Sequence, residues 1–376
     1  MLYEKLKEYA ASGIYPMHMP GHKRNSACLP PGLPFDIDIT EIPGFDDLHD
    51  PCGILRETSE LAAGLYGSER AFLLVNGSTV GILAAIGAHT ARGDKVLAAG
   101  ACHRSVSNAA CLFGLDLVCI EPGIDEASGV ECSIDPSAVA SALDKDRDIR
   151  LVVVTSPTYE GVVSDIAAIS RAAHERGVPL LVDSAHGAHL GFSPGFPESA
   201  VQAGADVVVM SLHKTLPSLT QCSLLHTCGA RADTDAVARL LSILQTSSPS
   251  YVLMASIDCC LRLLASDKDT LFGEYERNLS CFSEDIKALK NLSVLCHGAD
   301  QPHPGFFAFD FGKLVIATGK TALSGVGLAE LLRSEHKIEL ELARGSYAVA
   351  MTSVCDSPEG LRRLAEALIA IDRAFD

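Results

Sequence analysis

The chain has 376 residues, 48% of them hydrophobic and 20% charged, with a formal net charge of −17 at pH 7. That length can bury a large core, and the charge argues against a nucleic-acid surface, whose phosphates it would repel. No window of about eighteen residues is apolar without polar breaks, so no membrane span is expected.

The start, Met1-Leu2-Tyr3-Glu4-Lys5-Leu6, is amphipathic and charged and lacks the apolar core of a secretory signal. The 13 cysteines are odd in number and form no C-x-x-C pair. Several stand in apolar segments (Cys111, Cys119, Cys259, Cys260), where a free thiol acts as a small hydrophobe. Reduced, structural thiols in a cytoplasmic protein are the expectation.

Residues 1–57 carry Pro16, Pro20, Pro30, Pro31, Pro34, Pro43 and Pro51, and predict an arm with little regular structure. Such an arm is usually functional or packed on a partner. From about residue 58 to 230, short apolar runs alternate with helical periods. The strands expected are Ala71–Val75, Lys95–Ala98, Leu115–Ile120, Leu151–Val154, Leu180–Val182, Val207–Met210 and Ser223–Leu225. Between them, helices are expected at Thr79–His89, Val106–Phe113, Ile166–Arg176 and Ser199–Ala203. This alternation predicts an α/β fold around a mainly parallel, doubly wound sheet. Helices follow at Ala236–Gln245, Ser250–Ala265 and around Thr270–Leu289. The tail reads strand, helix, strand, strand, helix at Gly305–Phe311, Gly325–Ser334, Ile338–Leu342, Tyr347–Thr352 and Pro358–Ala374. The domains expected are therefore an arm (1–57), a large domain (58–290) and a small C-terminal α+β lobe (291–376).

In such a sheet ligands bind beyond the carboxyl ends of the strands, and two of those ends carry chemistry. Leu180-Leu181-Val182 ends on Asp183, and Val207-Val208-Val209-Met210 runs into Ser211-Leu212-His213-Lys214. A lysine and an aspartate on neighbouring strand ends suit pyridoxal 5'-phosphate. The lysine forms a Schiff base, and the aspartate keeps the pyridine nitrogen protonated so that the ring becomes an electron sink. Asn76-Gly77-Ser78-Thr79, between a strand and a helix, reads as a phosphate cradle or as an ordinary helix cap. His103 can stack on an aromatic cofactor or be a satisfied loop histidine. Thr155-Ser156-Pro157-Thr158-Tyr159-Glu160-Gly161 forms a turn at the site's rim. His186 and His189 resemble a metal pair, but no third ligand stands at a suitable spacing, so no metal is expected.

Together these motifs resemble one family, the bacterial ornithine/lysine/arginine decarboxylases of the fold-type I pyridoxal-phosphate enzymes. The match is carried by Met17-His18-Met19-Pro20-Gly21-His22-Lys23, Phe45-Asp46-Asp47-Leu48-His49, Asn76-Gly77-Ser78-Thr79 and His103-Arg104-Ser105-Val106. It continues through the Ser156–Gly161 turn, Asp183-Ser184-Ala185-His186-Gly187-Ala188-His189, Ser211–Pro217 with Thr220-Gln221, and Thr246-Ser247-Ser248-Pro249-Ser250-Tyr251. These segments stand in family order along most of the chain.

The resemblance implies catalytic Lys214, Asp183 and His103, with His103 stacked on the cofactor ring and His186 beside it. Ser78, Thr79, Ser211 and His213 would hold the phosphate, and Thr246 and Ser248 would reach it from a neighbouring subunit. It further implies a homodimer or higher homo-oligomer with shared active sites. The reaction implied is decarboxylation of arginine, lysine or ornithine to CO2 and an amine for polyamine synthesis. Asp46 and Asp47 are candidates for holding the substrate's distal cation. The chain departs from the family pattern at Ser184, where an acid is usual, and at Arg104, where lysine is common. It also reads as a short form without the further C-terminal domain of many members. Two alternatives stay open: another fold-type I reaction, such as transamination or elimination, and a non-catalytic pyridoxal-phosphate-binding regulator. A nucleotide-binding protein is disfavoured, because neither G-x-G-x-x-G nor G-x-x-x-x-G-K-[ST] follows a strand.

Overall fold

The computed structural model describes residues 1–297 and 303–375. The expected small-lobe range 291–376 therefore includes residues 298–302 and 376, which lie outside the described residues. In chain order the first elements are α1 (Leu2–Ala11), α2 (Ile54–Tyr66), β1 (Arg70–Leu74), α3 (Gly77–Ala88), β2 (Lys95–Ala99), α4 (Arg104–Phe113) and β3 (Asp116–Ile120). Next come α5 (Pro136–Lys145), β4 (Ile149–Thr155), β5 (Val162–Val163), α6 (Ile166–His174), β6 (Leu180–Asp183), β7 (Val207–Ser211), α7 (Leu212–Thr215) and β8 (Ser223–Thr227). The remainder are α8 (Thr234–Leu244), α9 (Tyr251–Asp285), β9 (Ser293–Val294), β10 (Ala308–Phe309), β11 (Lys313–Ala317), α10 (Gly325–His336), β12 (Leu342–Arg344), β13 (Tyr347–Met351) and α11 (Pro358–Asp372).

The central sheet has seven strands in the order β1-β8-β7-β6-β4-β2-β3. Its run from β7 to β3 is parallel, and β8 lies antiparallel to both β7 and β1. β6, β7 and β8 are buried along their whole length. This is why they read as unbroken apolar runs instead of alternating ones. One core cluster fills one face of the sheet under α3, α4 and α8, and another joins the opposite face to the arm and α9. The small lobe is a four-stranded antiparallel sheet, β12-β13-β11-β9, with α10 and α11.

Several expectations change, among them the strand expected at Ile338–Leu342, which is β12 at Leu342–Arg344. Ser199–Ala203 is a turn, not a helix, tied by Ser199 N–H and O–H donating to Gln202 Oε1 at 3.2 Å. So short a segment does not repay helix nucleation on its own. The helices expected at Ser250–Ala265 and Thr270–Leu289 are one helix, α9, of 35 residues. Exposed Ser266, Asp267 and Asp269 interrupt its apolar stripe, but no proline breaks the backbone and Gly273 is accommodated within the helix. The strand expected at Gly305–Phe311 is only β10, which pairs with β5 rather than with the small sheet, and β11 at Lys313–Ala317 had not been expected. The arm also contains α1, whose Leu2 and Leu6 are fully buried.

α1 and α2 are locked to α9 through Asp258, which is fully buried. Its carboxylate accepts from Leu2 N–H at 2.8 Å, Thr58 O–H at 3.0 Å and Arg262 Nε at 2.8 Å. Cutting this carboxylate away strands buried donors. Asp258→Ala is therefore expected to cost about 3 kcal/mol, read as a lower denaturant midpoint. Hydrogen exchange in residues 2–11 should rise with it; unchanged exchange there would refute the anchoring role.

Candidate active site

The parallel register sets the site. Thr155 on β4 lies beside Asp183 on β6, and Asp183 beside Val209 on β7, so β4 and β6 end at one level and β7 runs two residues beyond it. β7 then turns through Ser211 into α7, which carries His213 and Lys214. A cavity of about 560 Å³ opens over these ends, lined by Ser78, Thr79, His103, Asp183, His186, Ser211, His213 and Lys214. Eight of the ten candidate site residues thus converge from segments spread over more than a hundred residues of chain.

One wall is the N-terminus of α3. Asn76 stands at the N-cap without a side-chain cap bond, so the N–H groups that follow Gly77 present the helix's positive dipole end. Gly77 has φ +74°, a left-handed conformation that strains other residues, and its N–H donates to Gln221 O at 3.0 Å. Ser78 Oγ lies 2.6 Å from Ser211 Oγ and 3.3 Å from Ser223 Oγ, which joins α3 to β7 and β8. The Ser/Thr pair is thus in the first turn and not at the cap. His103 caps α4, accepting from Ser105 N–H at 3.2 Å. His213 Nδ1 lies 2.9 Å from Cys222 O.

The floor is electrostatically costly. Asp183 is 3% exposed. Burial pushes its carboxyl above the usual range, against the pull of Ala185 N–H, Lys214 and His103. Burial lowers the Lys214 amine, opposed by Asp183 and Glu341. Lys214 Nζ lies 3.0 Å from His186 Nε2, and the His186 ring packs on Tyr159 with centroids 4.3 Å apart. Burial, then Lys313 and Lys214, hold His186 well below an ordinary histidine.

The sequence reading missed Lys313, Asp310, Arg344 and Tyr347. Lys313 is buried at the start of β11, with Nζ 3.3 Å from His186 Nδ1. His189 Nε2 lies 3.0 Å from Asp310 Oδ1, so the supposed metal pair is split between a carboxylate and two lysines. Among the described residues no cluster suits a metal ion. Tyr347 O–H donates to Glu160 at 2.7 Å, Arg344 approaches the same carboxylate at 3.9 Å, and Tyr159 O–H donates to Glu341 at 3.1 Å. Apart from its proximity to the rim turn, no sequence signal marked this cluster.

Other candidates lie elsewhere. Asp46 is not at the cavity, because its carboxylate accepts from Cys52, Gly53 and Leu55 N–H at the start of α2. Asp47 accepts from His49 N–H. Thr246 and Ser248 do not reach this cavity. Thr246 N–H donates to Asn76 Oδ1 at 3.2 Å and its carbonyl meets His49 Nε2. All 13 thiols are free, but Cys111 and Cys119 are exposed, not core as expected.

A family model for the Orn/Lys/Arg decarboxylase major domain matches residues 1–291. The chain belongs to the Orn/Lys/Arg decarboxylase family. It is 43% identical over its whole length to the uncharacterised protein YaaO of Bacillus subtilis, of which 78% is covered. It is 33% identical over 98% of its length to the arginine decarboxylase of the same organism, of which 76% is covered. Its fold is that of the lysine decarboxylase LdcF of Francisella novicida, with a TM-score of 0.84 at 18% identity. There 99% of this chain matches 60% of that one, so the chain spans less than two thirds of that chain's length. The fold is shared also with alanine–glyoxylate aminotransferase from Nostoc, with a TM-score of 0.69 at 18% identity over 86% of this chain and 88% of that one. Family and fold together imply pyridoxal phosphate.

The cavity fits that group. It offers an uncapped helix end for a phosphate, a buried carboxylate for a pyridinium N–H, and Thr155 Oγ1, a buried hydroxyl on its wall that makes no hydrogen bond. Holding Asp183 for that purpose costs stability. A carboxyl raised by folding favours the folded state most when protonated. Its contribution therefore falls as pH rises from the ordinary value of about 4 through the raised one. Asp183→Asn is expected to melt higher than wild type at neutral pH in the cofactor-free protein. The gap should close toward about pH 4. Equal melting temperatures at neutral pH would show that burial of this carboxylate carries no penalty.

Proposed function

We propose that this protein is a pyridoxal-phosphate-dependent decarboxylase of basic L-amino acids, and that its substrate is arginine, converted to agmatine and CO2. One observation carries the reading: Asp183 at the end of β6 and Lys214 in the α7 turn just past the parallel neighbour β7 line one cavity. Arginine is favoured because several relatives named arginine decarboxylase are 30–33% identical over 98–100% of this chain. Relatives named lysine decarboxylase are 23–26% identical over 68–78% of it. The cavity's acidic groups, Glu131 and Glu160, and Glu341 held by Tyr159, suit a cationic side chain.

Lys214 would carry the cofactor, and Asp183 would hold a proton on its pyridine nitrogen. His103 would lie over the ring. Ser78, Thr79, Ser211 and His213, with the α3 N-terminus, would bind the phosphate. When bound, pyridoxal phosphate supplies an electron sink conjugated to the substrate Cα. Lys214 would return a proton to that carbon, and burial around Asp183 and His186 would exclude the water that weakens these charges. The division at about residue 290 and a homodimer completing each site with Thr246 and Ser248 belong to the same reading. Support for the dimer comes from the arm, where Tyr15, Met17 and Met19 are 69%, 86% and 63% exposed. Such a cluster of exposed apolar side chains suits a contact with a second copy. The free thiols suit a cytoplasmic location, and among the described residues no helix is long and apolar enough to cross a membrane.

The test is CO2 release from carboxyl-labelled arginine, lysine and ornithine with pyridoxal phosphate present. Arginine is expected to turn over at least about tenfold more efficiently than the others, a difference of about 1.4 kcal/mol in transition-state binding. Lys214→Ala should abolish turnover. A keto acid instead of CO2 and agmatine would replace this reading with transamination.

A further inference from the structure

His186 stands between two lysines. Its Nε2 is 3.0 Å from Lys214 Nζ and its Nδ1 is 3.3 Å from Lys313 Nζ. A neutral imidazole has one N–H and one lone pair, whereas an ammonium only donates. With two ammonium groups, the ring N–H would face a donor. One of the two lysines is therefore a neutral amine whenever both contacts are hydrogen bonds. The ring itself stays neutral, since burial and both lysines depress its basicity strongly.

Carboxylates give the shared proton a home at either end. Asp310, Glu341 and Glu160 favour positive charge on Lys313, and Asp183 and Glu341 favour it on Lys214. His103 and His189 act on the His186 ring, and the Tyr159 ring lies 5.7 Å from Lys214 Nζ. Burial pushes Lys313 down to about 8, so its uncharged form is accessible near neutrality. Lys313 is only 1% exposed and His186 4%, so the route for a proton from Lys313 runs through the imidazole.

We propose that Lys313 is the proton partner of Lys214 and exchanges a proton with it through the two ring nitrogens of His186. In one direction an N–H bond breaks at Lys214 and forms at Nε2, while the Nδ1–H bond breaks and a new N–H bond forms at Lys313. The total charge of the three groups is unchanged, and the reverse transfer restores the original tautomer. Lys214 must be uncharged to add to a carbonyl carbon and must recover a proton afterwards. Lys313 takes up and returns that proton without solvent. Lys313 acts through His186 and is a positioning residue; its importance for catalysis rests on the reading of Lys214 as the cofactor lysine.

The test is trace acetylation of the full-length, cofactor-free protein across pH, with mass spectrometry of the Lys214 peptide. In wild type, Lys214 reactivity should rise in two steps, because coupled groups titrate as a pair. Lys313→Met removes the like charge and should leave one step at higher pH. Lys313→Arg keeps a cation that cannot give up its proton, and should leave one step at lower pH. The two variants should differ by about one pH unit, or about tenfold in labelling rate at a fixed pH between their midpoints. His186→Gln keeps both lysines and their mutual repulsion, so the two equilibrium steps should persist. It breaks the path, however, so uptake of added pyridoxal phosphate by Lys214, followed by visible absorbance, should slow by at least about tenfold. An unchanged uptake rate overturns the transfer. A single step in wild type, or Met and Arg variants shifting the same way as simple loosening would, overturns the proposal. Wild type that binds no pyridoxal phosphate, judged by its visible absorbance, would sink the cofactor reading and leave the labelling result standing.

Discussion

The parallel pairing of β4, β6 and β7 is the constraint on which the rest of the molecule depends. Their register fixes Thr155, Asp183 and Ser211 at one edge of the sheet and leaves α7 just enough chain to present Lys214. A slip of one residue would turn Asp183 to the opposite face, and apolar burial of β6 and β7 on both faces makes such a slip costly. The chemistry is thus specified by the same contacts that stabilise the large domain.

The small lobe completes the floor of the site. β10 pairs with β5, which follows directly from β4 through the rim turn, and so brings Asp310 and Lys313 under His189 and His186. Gly161, at φ +98°, permits this approach: a Cβ there would sit 2.8 Å from Lys313 Cβ. The result is a group of two lysines, two histidines and two carboxylates, all buried except the half-buried Lys214. Charges in such a setting destabilise the fold unless paired; Asp310 is paired with His189, whereas Asp183 holds only the Ala185 N–H and the two lysines face His186. Stability and function pull in opposite directions at Asp183 and Lys313.

Much of this was legible in the residues themselves. All seven strands of the central sheet carry apolar runs, and Asp183 and Lys214 could be placed because each ends such a run. What failed to show had no local signature. Lys313 lies 127 residues from its partner His186, at the head of a strand that the preceding Phe306–Phe311 stretch obscured. The prolines of the arm hid α1, whose burial depends on α9 far along the chain. Asp46 looked like a free acid, yet four backbone N–H groups hold it, a role visible only once α2 is built. Ser199–Ala203 had helical periodicity but too little length to exploit it.

The most direct measurement is borohydride reduction of the protein loaded with pyridoxal phosphate, followed by mass mapping of the modified peptide. The strand-end geometry requires one phosphopyridoxyl group per chain, on Lys214. A label on Lys313, or none at all in a folded protein, would contradict the account.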